Sequence, residues 1–212
     1  MPGKLFAIEG CDATGKRTQS ELLLEKLKSS NFDAVLLSFP RYETIFGQLV
    51  KQYLQGKFGS LKEVKPEFSA LLYTIDRYNA SPKIGQWLSE GKVVVCDRYS
   101  ASNIAHQAAK FMGKEQAKFI EWLQNAESRL PKPDATIFLD LPVSVSAQLM
   151  QTREREKDIH ELDLDYLEST RKVYLALCKK ESWIKIDCQS RAGIKPKEEI
   201  HAEIWKKLQQ YL

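Results

Sequence analysis

Between a short apolar run and a helical pattern the chain reads Glu9-Gly10-Cys11-Asp12-Ala13-Thr14-Gly15-Lys16-Arg17-Thr18. Two glycines at this separation, the second followed by lysine, match the spacing of a phosphate-cradling loop, G-x-x-x-x-G-K-[ST]. Glycine permits backbone angles that let successive N–H groups converge on one anion. The helix behind the loop turns its positive end to the same point. Lys16 adds a mobile point charge for the outer phosphates. The last letter departs from the pattern, because Arg17 stands where a magnesium-binding hydroxyl is expected. The loop therefore predicts a polyphosphate ligand whose metal is organised by other residues. Arg17, on the first helical turn, has two readings, added positive charge near the phosphates, which is slightly favoured, or a side chain that simply faces solvent. Asp12 has two readings, a turn residue satisfying local N–H groups or a carboxylate holding a sugar hydroxyl or a magnesium water.

Further polar groups stand where apolar runs end. Phe39-Pro40-Arg41-Tyr42 offers a rigid exit, a guanidinium fork and a hydroxyl, and reads equally as an ordinary loop. Asp97-Arg98-Tyr99 follows Val93-Val94-Val95-Cys96. An acid at that edge suits a magnesium organiser, and the neighbouring guanidinium matches phosphate geometry; a structural Asp–Arg pair is the alternative. Tyr73 and Arg77 share one helix face and suit a stacked base and its edge, or else a core aromatic and a surface charge. The run Arg153-Glu154-Arg155-Glu156-Lys157-Asp158, followed by Ile159 and His160, is a solvated helix end or a lid whose arginines close over phosphates.

These residues need a scaffold. Apolar runs at Leu5–Glu9, Ala34–Phe39, Val93–Asp97, Ala135–Leu141 and Trp183–Asp187 read as buried strands. Longer amphipathic segments separate them, so five strands form a parallel sheet between helices, and ligands bind beyond its carboxyl edge. A length of 212 residues with 43% apolar residues suits one packed domain, here 1–212 with a lid at about 151–161. The net charge of +4 suits phosphorylated ligands and lacks the dense basic patch of a nucleic-acid binder. No apolar run reaches membrane-spanning length, no signal peptide is visible, and four cysteines lack metal or disulfide spacing. A reducing cytoplasm is the expected compartment.

Taken in order, the phosphate loop, Phe39-Pro40-Arg41-Tyr42, Tyr73 with Arg77, Asp97-Arg98-Tyr99, Leu130-Pro131-Lys132-Pro133-Asp134 and the charged lid make the chain resemble the thymidylate kinases along nearly its whole length. The resemblance implies a three-layer α/β P-loop kinase fold with a five-stranded parallel sheet. It implies transfer of the γ-phosphoryl group of ATP to dTMP, with Mg²⁺, by a homodimer. It assigns Gly10, Cys11, Asp12, Ala13, Thr14, Gly15, Lys16, Arg17 and Thr18 to ATP. It assigns Asp12, Phe39, Pro40, Tyr42, Tyr73, Arg77, Arg98, Asn103, Gln107 and His160 to dTMP, with Tyr73 stacked on the base and Arg77 at its edge. Glu9, Asp12 and Asp97 would organise the metal, and Lys16, Arg98, Arg153 and Arg155 would be catalytic. Some members carry a loop arginine where this chain has Ala13, which makes this the variant with lid arginines. Similar members have tyrosines near the places of His106 and His160, where they crowd the sugar; the smaller imidazoles leave selectivity for the deoxy sugar open. The alternatives are another deoxynucleoside monophosphate kinase of this fold, a P-loop switch ATPase or GTPase, for which no Asn-Lys-x-Asp stretch is present, and a fold that binds without chemistry.

Overall fold

In the computed structural model, residues 2–151, 158–161, 163–191 and 193–212 are described. Strands β1 (Lys4–Glu9), β2 (Ala34–Ser38), β3 (Val93–Asp97), β4 (Ala135–Asp140) and β5 (Ile184–Asp187) pair in parallel in the order β2-β3-β1-β4-β5. The five expected strands are thus observed, each within two residues of the expected ends. A two-stranded antiparallel sheet, β6 (Gln189–Ser190) with β7 (Gly193–Ile194), joins them without any sequence signal. Its strands are too short to carry any periodicity.

Alternation along the central strands builds three layers. Phe6, Ile8, Val93, Val95, Ile137 and Leu139 point to one face. There they meet Leu23 and Leu27 of α1 (Lys16–Ser29) and Ile200, Ile204 and Leu208 of α8 (Lys197–Leu208). Leu5, Ala7, Val94 and Cys96 point to the other face, against Ala80 and Ile84 of α3 (Pro66–Ser89). Phe138 continues that face against α4 (Ser100–Ala108), α5 (Gly113–Ala126) and α7 (Leu164–Lys180). Both faces of β1 and β3 are covered, which is why they read as unbroken apolar runs. The remaining α-helices among the described residues are α2 (Ile45–Leu54) and α6 (Val143–Gln151).

Two local devices hold the elements that frame the sheet's carboxyl edge. Pro82 lies inside α3 and cannot donate to the Tyr78 carbonyl; the Ser81 hydroxyl donates to it instead, at 2.8 Å. At the exit of β2, the chain turns sharply into α2. Thr44 caps that helix by accepting from Gly47 N at 3.1 Å. A Cβ built on Gly47 would lie 1.8 Å from the Arg41 carbonyl oxygen, so only glycine fits the turn. Gly47→Ala is expected to cost about 1–3 kcal/mol or more through overpacking, lowering Tm by at least roughly 2 °C in calorimetry; an unchanged Tm would show that the turn relaxes freely.

Candidate active site

The loop after β1 departs from ordinary backbone at three residues. Gly10 has φ +154°, Ala13 +60° and Gly15 +86°. A side chain at Gly10 would meet Leu139 O at 2.8 Å and Thr14 Oγ1 at 2.7 Å. Ala13 holds a left-handed conformation without being glycine, which is strain of the kind stored at functional loops. Gly15 caps α1, so the helix's free N–H groups open into the loop. Lys16 is buried, and its Nζ donates to Cys11 O at 2.5 Å. Its ammonium is pushed down to about 8, first by burial and then by Arg98, with Asp12 and Asp97 pulling the other way. Arg17 faces outward with 84% of its side chain exposed and pairs with Glu21 at 2.9 Å. That partner offsets part of its charge, although both residues border the same cavity as the loop.

The turn after β3 closes over this loop. Arg98 has φ +66° and its guanidinium pairs with Asp12, with Gly10 O at 3.3 Å and Ser102 Oγ at 3.2 Å. Burial, the largest single influence, would raise the Asp12 carboxyl; Arg98, with Lys16 and the neighbouring imidazoles adding to it, outweighs burial and holds the group below the usual carboxylate range. Asp12 is therefore neither a local turn cap nor a free acid. Asp97 does not pair with Arg98; its Oδ1 is buried and has no partner among the described residues. Glu9, expected to organise a metal, has another task. It is fully buried and accepts from Tyr99 N at 2.8 Å, Ser102 N at 3.2 Å, Ser102 Oγ at 2.6 Å and Tyr174 OH at 3.1 Å. With its oxygens committed to these donors, it shapes the β3–α4 turn.

A second group of residues lines the same cavity, of about 1410 Å³, that the loop Asp12–Thr18 lines. Tyr73 stands edge-on to Tyr53, with ring centroids 6.3 Å apart. Arg77 is buried against Glu127, which also receives Thr74 Oγ1 at 2.7 Å and Asn103 Nδ2 at 2.8 Å. Gln107 meets Ser69 Oγ at 2.6 Å, and Lys110 donates to Ser69 Oγ at 3.3 Å and to Tyr53 OH at 3.0 Å. His160 meets Tyr53 OH at 3.0 Å and stacks on His106 at 5.3 Å between centroids. Burial, reinforced by nearby cations, pushes His106 down to about 3 and His160 well below its usual value, so both imidazoles are neutral.

The structure thus brings Lys16, Arg98, Asp97, Tyr73, Arg77, Asn103, Gln107 and His160 to one cavity, together with Phe39, Pro40 and Tyr42. Arg41 is spent elsewhere: its N, Nε and Nη2 all bond to Asp76, at 2.8–3.0 Å, and fasten the β2 exit to α3. Arg153 and Arg155 lie outside the described residues. Glu127, Asp76, Tyr53 and Lys110 carry no signal in the sequence. Each is a single polar residue inside an amphipathic segment, and no spacing marks it.

A family model described as thymidylate kinase matches residues 8–204. A probable thymidylate kinase of Pyrococcus abyssi is 33% identical over 206 residues, covering 96% of this chain and 95% of that protein. The thymidylate kinase of Homo sapiens is 36% identical over 146 residues, 69% of this chain and 65% of the human protein. The solved thymidylate kinase of Candida albicans superposes with a TM-score of 0.80 at 26% identity, over 99% of this chain and 92% of that one.

The lowered ammonium has a direct consequence for anion binding. Protonated Lys16 is the attracting form, so its contribution is present below its pKa and lost above it. The wild-type to Lys16→Met affinity ratio for tripolyphosphate should fall about tenfold between about pH 7 and about pH 9, read by calorimetric titration. A ratio that does not change with pH would mean that Lys16 does not hold the anion.

Proposed function

The chain belongs to the thymidylate kinase family, and from that premise we propose how its cavity brings two phosphorylated nucleotides together. The enzyme transfers the γ-phosphoryl group of ATP to dTMP, giving dTDP and ADP, a step of nucleotide biosynthesis that leads to dTTP. The observation that carries the site assignment is that one cavity is lined by the phosphate loop and by the Tyr73–Arg77 face of α3.

In this reading the loop amides and Lys16 hold the ATP phosphates. Tyr73 stacks on thymine, Arg77 serves its edge, and Phe39, Pro40, Tyr42, Asn103, Gln107 and His160 complete the dTMP wall. Arg98, held in place by Asp12, Gly10 O and Ser102, meets the acceptor phosphate. An oxygen of that phosphate attacks the γ-phosphorus while the bond to the β–γ bridging oxygen breaks. The acceptor is anionic near neutral pH, its second pKa being about 6, so no general base is required. Catalysis is alignment plus neutralisation of the charge on the transferring group. Arg153 and Arg155 are proposed to add positive charge there. Mg²⁺, when bound, would neutralise charge on the phosphates. Of the three acids that the sequence singles out, Asp97 fits it best, because its buried Oδ1 has no partner among the described residues, whereas Asp12 is paired and Glu9 is committed.

Residues 1–212 are proposed to act as one catalytic domain in the cytoplasm, where the free, buried Cys11, Cys96, Cys178 and Cys188 stay reduced. Among the described residues no helix is long and apolar enough to cross a membrane. A homodimer is proposed through the outer face of α3. Phe68, Leu71 and Ile75 lie there at helical spacing, each more than two-fifths exposed.

Two experiments test these readings. In a coupled assay of dTMP-dependent ADP formation, Tyr73→Ala should raise the KM for dTMP by roughly 5- to 150-fold, the worth of about 1–3 kcal/mol of stacking. Arg98→Ala should lower kcat by on the order of 10²-fold or more; near-wild-type values in both folded variants would sink the assignment. Phe68→Glu combined with Leu71→Glu should convert a dimer to a monomer in light scattering, and a mass unaffected by the pair would place the interface elsewhere.

A further inference from the structure

We infer that Glu127 is a positioning residue that sets which hydrogen-bonding edge of the base the enzyme accepts, by fixing the orientation of the Asn103 amide. This rests on the reading that the Tyr73–Arg77 end of the cavity receives the base. Glu127 lies at the C-terminal cap of α5, is buried, and touches none of the phosphate-loop residues through its hydrogen bonds. Its Oε1 collects three donors: Arg77 Nη2, Thr74 Oγ1 at 2.7 Å and Asn103 Nδ2 at 2.8 Å.

The Asn103 nitrogen is also 3.0 Å from Ala70 O and 3.2 Å from Thr74 Oγ1. A backbone carbonyl and a carboxylate accept and never donate. Turned the other way, the amide would set its oxygen against both of these acceptors. The nitrogen is therefore pinned to the wall, and only the oxygen remains for a ligand. Asn103 lines the cavity, and its Oδ1 has no protein partner among the described residues. Arg77 shows the complementary arrangement: its Nη2 is spent on Glu127 and its Nε has no partner among them. The wall thus offers a fixed acceptor beside a fixed donor.

Thymine presents N3–H, a donor, next to a carbonyl acceptor. With its ring located by Tyr73 and its phosphate by Arg98, N3–H meets Asn103 Oδ1 and the carbonyl meets Arg77. Cytosine in the same place presents a bare N3 to the amide oxygen and an amino group to the guanidinium, so both contacts turn repulsive. Glu127 touches no base in this arrangement. It acts through Asn103 and Arg77, by denying the amide the flip that would welcome cytosine.

The test measures kcat/KM for dTMP and dCMP in wild-type enzyme and in Glu127→Gln. The substituted amide can donate to Asn103 Oδ1, so that only Ala70 O still opposes the turned amide and the turned form becomes accessible. The dTMP-to-dCMP ratio is expected to fall at least tenfold, mainly through KM, with kcat for dTMP kept within a few fold. Should Glu127→Gln fail to fold, Glu127→Asp keeps the charge facing Arg77 but withdraws the oxygen by one carbon, and the same fall is expected. In the wild-type enzyme, N3-methyl-dTMP is expected to lose at least a hundredfold in kcat/KM. An unchanged dTMP-to-dCMP ratio in a folded variant, or N3-methyl-dTMP turned over like dTMP, overturns the inference. Tyr73→Ala separates the two levels: if it leaves the dTMP KM unchanged, the base lies elsewhere and the premise has failed; if it raises KM while the ratio holds, only the role of Glu127 has failed.

Discussion

The site depends on one buried carboxylate at the end of the central strand. Glu9 closes β1 and gathers the backbone N–H groups of Tyr99 and Ser102, the Ser102 hydroxyl and the Tyr174 hydroxyl. A carboxylate at the start of α4 does the work of an N-cap and answers the helix's positive end. Burial pushes the Glu9 carboxyl upward while these hydrogen bonds and Arg98 pull it back. By fixing the first turn of α4, Glu9 fixes the residues on either side of it. Arg98 is locked in its left-handed turn over the phosphate loop, and Asn103, His106 and Gln107 are presented along the helix beyond.

Charge in the cavity is set by that framework. Arg98 and Lys16 stand close enough that each disfavours further positive charge on the other, and Lys16 yields because an ammonium loses its proton far more readily than a guanidinium. Asp12 offsets part of this repulsion and keeps Arg98 in place. The result is a cleft whose cations crowd each other until anions arrive. Two phosphorylated ligands that repel in water each relieve that crowding, so the chain's own electrostatics favour binding both together.

The strands are legible in the sequence because β1, β3 and β4 are covered on both faces and so must be apolar without interruption; their limits agree to within two residues. The phosphate loop is legible because glycine and lysine are demanded at fixed spacing by backbone angle and charge. Arg41 and Arg17 mark the boundary of that legibility. Both look available for phosphate in the sequence, and both are satisfied by carboxylates, Asp76 at a distance of 35 positions and Glu21 on the next helical turn. Glu127 lies 50 positions from Arg77, and such a pairing is decided by how α3, α4 and α5 pack, which no local pattern encodes. The β6–β7 ribbon escapes for the opposite reason, since two residues per strand are too few for alternation.

The imidazole pair ties the segment at 158–160 to the α4 wall of the cavity. His160 lies just beyond the run 153–158, in a segment anchored by Ile159 N to Leu54 O at 3.2 Å and by its own ring to Tyr53. His106 lies on α4, two residues before the Glu9-fixed helix ends, and stacks on His160 with its ring tilted by only 15°. Burial is the main reason that both rings stay neutral, and the nearby Lys110 and Arg98 add to it. Neutral rings of this kind can pack face to face and still exchange hydrogen bonds with Tyr53 and Tyr166. The segment at 158–160 is therefore seated on the same helix that carries Asn103 and Gln107, and anything that shifts one has a direct mechanical route to the other.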